Sequence, residues 1–338
     1  MPAPVDQPGK HDPAPDLHII PAMEEWISEH SLVVPQSSNG ERLDVFLKSA
    51  LDEFSRSYLQ KLISQGCITL NGVVPKPAKS VHTGDDIDVR VPPPVELRAD
   101  PENIPLEVLF EDSDIIVINK AAGMVVHPAC GHLSGTLVNA LLFHCAGKLS
   151  GINGVLRPGI VHRLDAGTSG VMVCAKSDVA HRSLVDQFKG RSVDKRYFAI
   201  VHGPVSPELH RIEAPIGRHR SDFRRMAVRE DVGKAAVTEI VSSFPYDEFS
   251  AVHLHILTGR THQIRVHMKY RGHPLLCDET YGAEASFPSD NPVISRVCLH
   301  AYRLSFDHPV TRHRLCFNAR IPDDIKSALA LIRGRNKA

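Results

Sequence analysis

Asp165 has the surroundings most typical of a catalytic group in this 338-residue chain. It follows His162 and Arg163 and precedes an apolar run over 171–175, which predicts a buried strand. A carboxylate at such a loop-to-strand junction can be held rigidly at a cleft and act as a nucleophile or a general base. The alternative is an aspartate that merely caps a turn, and composition alone favours that alternative.

A second cluster has the sequence TGRTHQIRVH and begins at Thr258. The spacing predicts a helix over 262–270 with Thr258 or Thr261 as its N-cap. Helix N-termini and arginines both suit phosphate. If Arg260 reaches Asp165, its charge keeps the carboxylate ionised. The alternative is a solvated amphipathic helix.

A third cluster places Tyr197 directly after Lys195 and Arg196, near the start of a predicted strand. A tyrosine beside basic residues can stack on a nucleic-acid base. A strand tyrosine is more often part of the core, so this position alone is a weak indication.

Common catalytic and phosphate-binding motifs are absent from the sequence: it has no G-x-x-x-x-G-K-[ST], G-x-S-x-G, H-E-x-x-H or G-x-G-x-x-G before a helix. The 20 histidines raise the question of a metal site. His253 and His255 would share a strand face, but no third ligand can be assigned at zinc spacing. We therefore expect no metal.

The N-terminal part of the chain predicts a small module of two helices, a hairpin and a strand. Ser55 is the expected N-cap of the second helix, and Asn71-Gly72 fits a type I′ turn. We expect a disordered tail over 1–30, although a short strand over 26–34 is possible. The module covers 31–91, and the prolines that follow indicate a linker over 92–103.

From residue 104 onward strands outnumber helices and do not alternate with them. This pattern predicts an α+β fold with a mixed, mainly antiparallel sheet rather than a doubly wound parallel sheet. Predicted helices over 136–145 and 179–188 interrupt the strands. We assign 104–325 to this large domain and 326–338 to a C-terminal tail.

The charges of the chain sum to zero, with 39 basic and 39 acidic residues, which taken alone argues against nucleic-acid binding. The net charge of zero is the sum of acidic segments and basic segments that cancel. Residues 1–60 and 85–114 each contain ten acids, whereas 61–84 contains three lysines and no acid. Residues 156–229 contain 14 basic and seven acidic residues, and 260–273 contains four basic residues and no acid. These basic blocks can attract phosphate locally.

The sequence also bears on location. No stretch approaches the ~18 apolar residues of a membrane span, and the N-terminal segment lacks the pattern of a secretory signal. The seven cysteines are scattered and form no C-x-x-C pair. We therefore expect a cytoplasmic protein with reduced thiols and no membrane partner.

Taken together, the motifs resemble the RluA-type pseudouridine synthases, most closely the RluD branch that acts on large-subunit ribosomal RNA. The resemblance rests on HRLD with TSG at 162–170, KRY at 195–197, GRTHQIRVH at 259–267 and VCLHA at 297–301. The module at 41–91 is similar to the RNA-binding domain named for ribosomal small-subunit protein four. Cys277 stands where glycine is usual, and Ala166 and Gly167 stand where charged or polar residues are common.

The resemblance implies an isomerase that converts uridine in RNA to pseudouridine without cofactor or metal, by flipping the base out of its stack. It implies three catalytic residues and a set of RNA contacts. The catalytic residues are Asp165, Tyr197 and Arg260. The substrate-binding residues are Arg163, His162, Leu299 and Arg265, and the small domain contributes Arg42, Ser57 and Lys61. The expected partner is ribosomal RNA or a large-subunit assembly intermediate, bound by a monomer.

Two other functions stay open at this stage. A non-catalytic RNA-binding protein of ribosome assembly would keep the fold and bind without forming product. A hydrolytic glycosidase would need two carboxylates flanking the scissile bond, and no second acid accompanies Asp165 in its motif.

Overall fold

The computed structural model describes residues 26, 28–92, 99–128, 132–152, 154, 157–222, 224–282 and 293–335. The chain divides into two compact units, Met1–Glu96 and Leu97–Ala338. Each unit has its own hydrophobic core. Residues 1–25 of the predicted tail over 1–30, residues 93–98 of the predicted linker over 92–103, and residues 336–338 lie outside the described residues.

The N-terminal unit packs two helices against a three-stranded antiparallel sheet of order β1–β3–β2. Its elements are β1 (Ser28–Val33), α1 (Leu43–Ala50), α2 (Arg56–Ser64), β2 (Ile68–Leu70) and β3 (Asp86–Val91). The two predicted helices and the last strand are present, but the predicted hairpin is reduced to a single bridge between Leu70 and Val73, and β2 pairs with β3 instead. The possible strand over 26–34 is present as β1, which crosses the predicted tail boundary at residue 30 because it pairs with β3 along its length.

Local sequence signals account for the start of α2 and for the turn after β2. Ser55 Oγ accepts a hydrogen bond from the Tyr58 backbone N–H at 3.2 Å and caps α2. Asn71 and Gly72 have φ values of 51° and 76°, as a type I′ turn requires. The turn closes a bridge between Leu70 and Val73.

The C-terminal unit is built on a nine-stranded sheet with the order β4–β5–β6–β13–β7–β12–β11–β8, and β14 also pairs with β13. All its pairs are antiparallel except β6 with β13. The strands are β4 (Glu107–Glu111), β5 (Ile115–Lys120), β6 (Ser169–Ala175), β7 (Asp194–His202), β8 (Arg211–Glu213), β11 (Val237–Tyr246), β12 (Phe249–Ile256), β13 (Leu299–Asp307) and β14 (Arg314–Asn318). The predicted α+β class with a mixed, mainly antiparallel sheet is confirmed.

Four helices and a two-stranded ribbon complete this unit: α3 (Leu137–His144), α4 (Asp178–Lys189), α5 (Gln263–Tyr270), α6 (Asp323–Arg335), β9 (Ile216–Arg218) and β10 (Met226–Val228). Helices α3 and α4 fall where the sequence predicts them. Helix α6 contradicts the predicted C-terminal tail, since it continues past residue 326. Its residues Ile325, Ala328 and Ile332 are buried in one hydrophobic cluster. Their helical spacing puts them on one face of the helix, so this segment packs against the domain.

Gly170 allows strand β13 to insert between β6 and β7. Its φ is 126°, and a Cβ at this position would collide with the backbone of Ala301 in β13. Only glycine tolerates both conditions. The close approach places the start of β13, with Leu299, beside the loop that carries Asp165.

Candidate active site

One cavity of about 490 Å³ brings together every site residue that the sequence predicts in the C-terminal unit. It lies where the loop before β6, the middle of β7, the start of β13 and the N-terminal end of α5 meet. The predicted residues that line it are Asp165, Tyr197, Arg260, Arg163, His162, Leu299 and Arg265.

Two basic side chains, Lys120 and Arg296, hold the loop that carries Asp165 by hydrogen bonds to backbone carbonyl oxygens. The Lys120 ammonium is almost fully buried and donates to the carbonyl oxygens of Ala121, Met124 and Ala166. Burial lowers the pKa of Lys120 to about 7, while the nearby charge of Asp165 opposes that shift. Arg296 Nη1 donates to the Gly167 carbonyl at 3.2 Å. The backbone on the C-terminal side of Asp165 is therefore held in place.

Arg265 is the cation that pairs with Asp165. Its Nη1 lies 3.1 Å from Asp165 Oδ2. The same guanidinium makes a two-bond contact with Asp278, with Nε to Oδ2 at 2.7 Å and Nη2 to Oδ1 at 2.8 Å. Asp278 is fully buried and raises the pKa of Arg265 against the effect of burial. Arg265 therefore stays charged and fixed in orientation, with one of its N–H groups directed at Asp165.

The predicted pairing of Arg260 with Asp165 is wrong. Arg260 lines the cavity, but its Nε donates to the carbonyl oxygen of Ala235 at 3.1 Å. Arg260 precedes α5 in a loop, whereas Arg265 lies on the helix and faces inward with only 10% of its side chain exposed. The residue predicted only as a substrate contact thus occupies the position predicted for Arg260.

The loop before α5 is shaped by Gln263. The amide oxygen of this buried side chain accepts from Thr258 Oγ1 at 2.7 Å and from the Arg260 N–H at 3.0 Å, and its nitrogen donates to the Val237 carbonyl. The N-cap of α5 is His262, with a left-handed φ of 54°, rather than Thr258 or Thr261. Thr258 instead accepts from the Val237 N–H and ties the loop to β11.

Asp165 has a second neighbour in His262. The His262 Nε2 atom lies 3.9 Å from Asp165 Oδ1, whereas Arg265 contacts the other carboxylate oxygen, Oδ2. The other ring nitrogen, Nδ1, lies 2.7 Å from the Tyr281 hydroxyl. Burial lowers the pKa of His262. A neutral imidazole therefore lies near one carboxylate oxygen while the arginine contacts the other.

Tyr197 reaches the cavity from β7 with 8% of its surface exposed. Burial, with a smaller effect of the Asp165 charge, raises the pKa of its phenol. Tyr197 therefore presents a neutral aromatic ring to the space beside Asp165. Such a ring suits stacking on a base.

His162 and Arg163 are adjacent in sequence but play different parts. His162 Nε2 accepts a hydrogen bond from the Val173 N–H at 3.1 Å, and its ring stacks on Phe188 with centroids 4.5 Å apart. Burial lowers the pKa of His162 to about 3, so the ring is neutral and supports β6. Arg163 is exposed and also lines the cavity.

Many of the side chains that line the cavity are basic. Lys195 is 7% exposed, and its Nζ lies 5.8 Å from the centre of the Phe188 ring. Burial lowers the pKa of Lys195 to about 8, and the charges of Arg191 and Arg260 add to that shift. With Arg163 and Lys189, the described part of the lining has five basic side chains besides Arg265, and one carboxylate. This excess suits a polyanionic substrate.

The predicted RNA-binding residues of the N-terminal unit lie on and beside its two helices. Arg42 is half-exposed and donates to the fully buried carboxylate of Asp44, which also accepts from Arg56. Lys61 is exposed on α2, and the exposed Ser57 hydroxyl lies 3.1 Å from that of Ser55. Asp44 thus fixes two guanidiniums at the surface, and Arg56 joins the predicted set.

Sequence reasoning missed several residues that organise the active site: Lys120, His262, Asp278, Tyr281 and Arg296. Asp278 and Tyr281 were visible only as the neighbours of the unusual Cys277. The sequence places them after α5, with no spacing that links them to Asp165. An acidic residue a few positions after an arginine-containing helix is the signal that could have suggested Asp278.

The described ranges lack both a metal-ligand cluster and a membrane-spanning helix. Among these residues there is no group of three His, Cys, Asp or Glu side chains that could hold a metal ion. The described part of the chain also has no helix long and apolar enough to cross a membrane.

Family models match both units. The model for RNA pseudouridylate synthases matches residues 114–270, which include Asp165, Tyr197 and Arg265. The model for the S4 domain matches residues 41–87. The first match covers the residues that line the cavity except Leu299, and the second covers both helices of the N-terminal unit.

Similar proteins match over most of the chain. It is 42% identical over 307 residues to the RNA pseudouridine synthase YlyB of Bacillus subtilis, covering 91% of this chain and 99% of that one. It is 43% identical over 304 residues to the ribosomal large subunit pseudouridine synthase D of Zymomonas mobilis, covering 88% and 96%. Among solved structures, human RNA pseudouridylate synthase domain containing 1 matches with a TM-score of 0.53 and 26% identity, covering 70% of this chain and 96% of that chain.

Proposed function

The chain belongs to the RNA pseudouridine synthase family, and on that basis we propose that it isomerises specific uridines of large-subunit ribosomal RNA, with Asp165 as the essential carboxylate. The reaction breaks the bond between the ribose and the uracil nitrogen, rotates the uracil, and joins its carbon 5 to the ribose. The observation that carries the proposal is the ion pair of Asp165 with Arg265 inside a cavity that also holds Tyr197.

The proposed chemistry needs Asp165 in its ionised form. The carboxylate serves either as a nucleophile on the ribose or as a base for a ribose proton, and both roles require a negative charge. Arg265 forms an ion pair with Asp165, and Lys120 fixes the loop by its hydrogen bond to the Ala166 carbonyl. All of these steps use side chains of this chain, and we propose that no cofactor takes part.

Access to the sugar–base bond requires that the uridine leave its stack. We propose that Tyr197 stacks on the flipped uracil and that Leu299 packs beside it, since both line the cavity. Arg163, which is exposed, would fill the gap left in the RNA. The basic side chains of the cavity lining would hold the flanking phosphates.

Ribosomal RNA is the substrate class that the relatives favour. The similar proteins of Zymomonas mobilis and Neisseria meningitidis are named ribosomal large subunit pseudouridine synthase D. The S4 domain would add phosphate contacts through Arg42, Arg56 and Lys61. We propose that the protein acts as a monomer in the cytoplasm, on ribosomal RNA or a large-subunit assembly intermediate.

Mapping pseudouridine in ribosomal RNA tests the proposal. Large-subunit RNA that lacks the modification is incubated with the protein, treated with carbodiimide, and read by reverse transcription. Stops at defined uridines, absent without protein, are expected and would identify the target. Binding without stops would favour the non-catalytic assembly protein, and abasic sites would favour a hydrolytic glycosidase.

A further inference from the structure

The hydrogen bonds of Tyr281 determine which nitrogen of His262 carries the proton. The Tyr281 hydroxyl oxygen accepts from the Met226 backbone N–H at 2.8 Å. Among the described residues, the acceptor available to the hydroxyl proton is His262 Nδ1, at 2.7 Å. A neutral imidazole that accepts at Nδ1 has its proton on Nε2. Nε2–H is therefore the group that faces Asp165.

Tyr281 is itself firmly placed. It is 4% exposed, and its ring lies between two guanidiniums, with Arg265 at 5.0 Å and Arg225 at 5.5 Å from its centroid. Met226 belongs to β10 of the separate ribbon, so the hydroxyl joins that ribbon to the cavity. The orientation of His262 thus depends on a side chain that does not line the cavity.

The gap between His262 Nε2 and Asp165 Oδ1 is 3.9 Å, too long for a direct hydrogen bond. It is short enough for one hydroxyl oxygen to lie within hydrogen-bond distance of both atoms, accepting from Nε2–H and donating to the carboxylate. Both residues line the cavity. The two groups therefore form a matched donor and acceptor for a single substrate hydroxyl.

We propose that His262 and Asp165 together bind the ribose 2′-hydroxyl of the target uridine, with Tyr281 as the positioning residue that keeps the proton on His262 Nε2. This inference rests on the proposed function. Asp165 acts on the ribose next to the glycosidic bond, and the 2′-hydroxyl is the substrate hydroxyl adjacent to that bond. A 2′-hydroxyl is both donor and acceptor, so the contact would distinguish RNA from DNA at the reacting nucleotide.

Binding to two matched RNAs tests the ribose contact. One is the ribosomal RNA fragment that the wild type modifies, and the other carries 2′-deoxyuridine at that position alone. The wild type should bind the deoxy form about tenfold more weakly, as expected for loss of a hydrogen bond to a charged group. In His262→Phe, which keeps a ring without N–H, this ratio should fall at least threefold. Tyr270→Phe, an exposed tyrosine at the other end of α5, should keep the wild-type ratio.

A second readout does not depend on RNA. In ¹⁵N-histidine-labelled protein, the His262 resonance, assigned by its absence from His262→Phe, should show the proton on Nε2. Tyr281→Phe removes one hydroxyl and should shift that resonance toward a mixture of both tautomers and lower the binding ratio.

Three results would overturn the inference: a proton on Nδ1 in the wild type, no discrimination against the deoxy form, or equal discrimination by wild type and His262→Phe. Each of these can occur while the wild type still forms pseudouridine, and then the proposed function stands. A wild type that forms no pseudouridine would remove both.

Discussion

Arg265 Nη1 and Asp165 Oδ2 lie 3.1 Å apart, and this contact joins helix α5 to the loop before β6 across 100 residues of sequence. The arginine is buried and its remaining nitrogens are committed to Asp278. The ion pair is therefore built into the fold before substrate arrives. A charge placed in advance in a dry site stabilises a reacting group more than one recruited from solvent.

Lysine at position 265 should fold but react slowly. It keeps the charge, yet a single ammonium cannot bridge Asp165 and Asp278 as the planar guanidinium does. We expect kcat of Arg265→Lys to fall by about 10- to 100-fold, since small misplacements at a reacting centre have effects of that size. Single-turnover pseudouridine formation measures it. Arg260→Ala is the matched control and should lose less than tenfold; a larger loss in the control than in Arg265→Lys would reinstate Arg260 as the partner of Asp165.

Asp278→Asn tests whether activity depends on the contact between Arg265 and Asp278. The amide cannot hold both guanidinium nitrogens as an anion does, so Arg265 should lose its fixed orientation. We expect kcat to fall about tenfold and the free energy of unfolding to drop, because a buried arginine is left poorly paired. Asp186→Asn, an exposed carboxylate on α4, should match the wild type in both measurements. Wild-type kcat in Asp278→Asn would show that Arg265 needs no such support.

The local structure was largely predictable, because Ser55, Asn71 and the strand periodicities act over a few residues. The choice between Arg260 and Arg265 was not. Both belong to one motif, and the motif does not show that the helix starts after His262 in a left-handed conformation. That start leaves Arg260 in a loop and turns Arg265 inward.

The order of the strands in the sheet also could not be predicted from the sequence pattern. Strand β13 inserts between β6 and β7, some 130 residues after its parallel partner Ser169. Periodicity identifies such a strand but not its neighbours. Gly170 shows in hindsight where another backbone must approach.

His162 should make the protein lose stability in mild acid. Its pKa is about 3 in the folded state because it is buried, against ~6.5 when unfolded. Between these values the unfolded state binds the extra proton, so stability falls as pH decreases from about 6.5 toward 3, by up to ~1.4 kcal/mol per pH unit from this one group. His162→Gln, whose amide oxygen can accept from Val173 N–H, should show a shallower decline in urea midpoints between pH 7.5 and pH 5. Parallel declines in both proteins would assign the acid sensitivity to other groups.

Asp44→Asn should weaken RNA binding although it makes the N-terminal unit more positive. The buried carboxylate orients Arg42 and Arg56, and without it both half-exposed side chains become free to move. We expect a loss of affinity of about threefold to tenfold and a loss of stability of about 1–3 kcal/mol. Filter binding at several salt concentrations measures the affinity. Asp52→Asn changes the charge equally at an exposed site and should bind slightly more tightly. Equal effects of the two variants would show that net charge, not orientation, controls binding.

The most direct test of the account is Asp165→Asn. The amide keeps the shape of the side chain and removes the charge that the proposed reaction requires. With ribosomal RNA labelled with tritium at carbon 5 of uridine, the wild type should release tritium as the new carbon–carbon bond replaces that hydrogen. Asp165→Asn should bind the same RNA with an affinity close to that of the wild type and release no tritium above background. Tritium release by the variant at a rate near that of the wild type would contradict the assignment of Asp165 as the essential carboxylate.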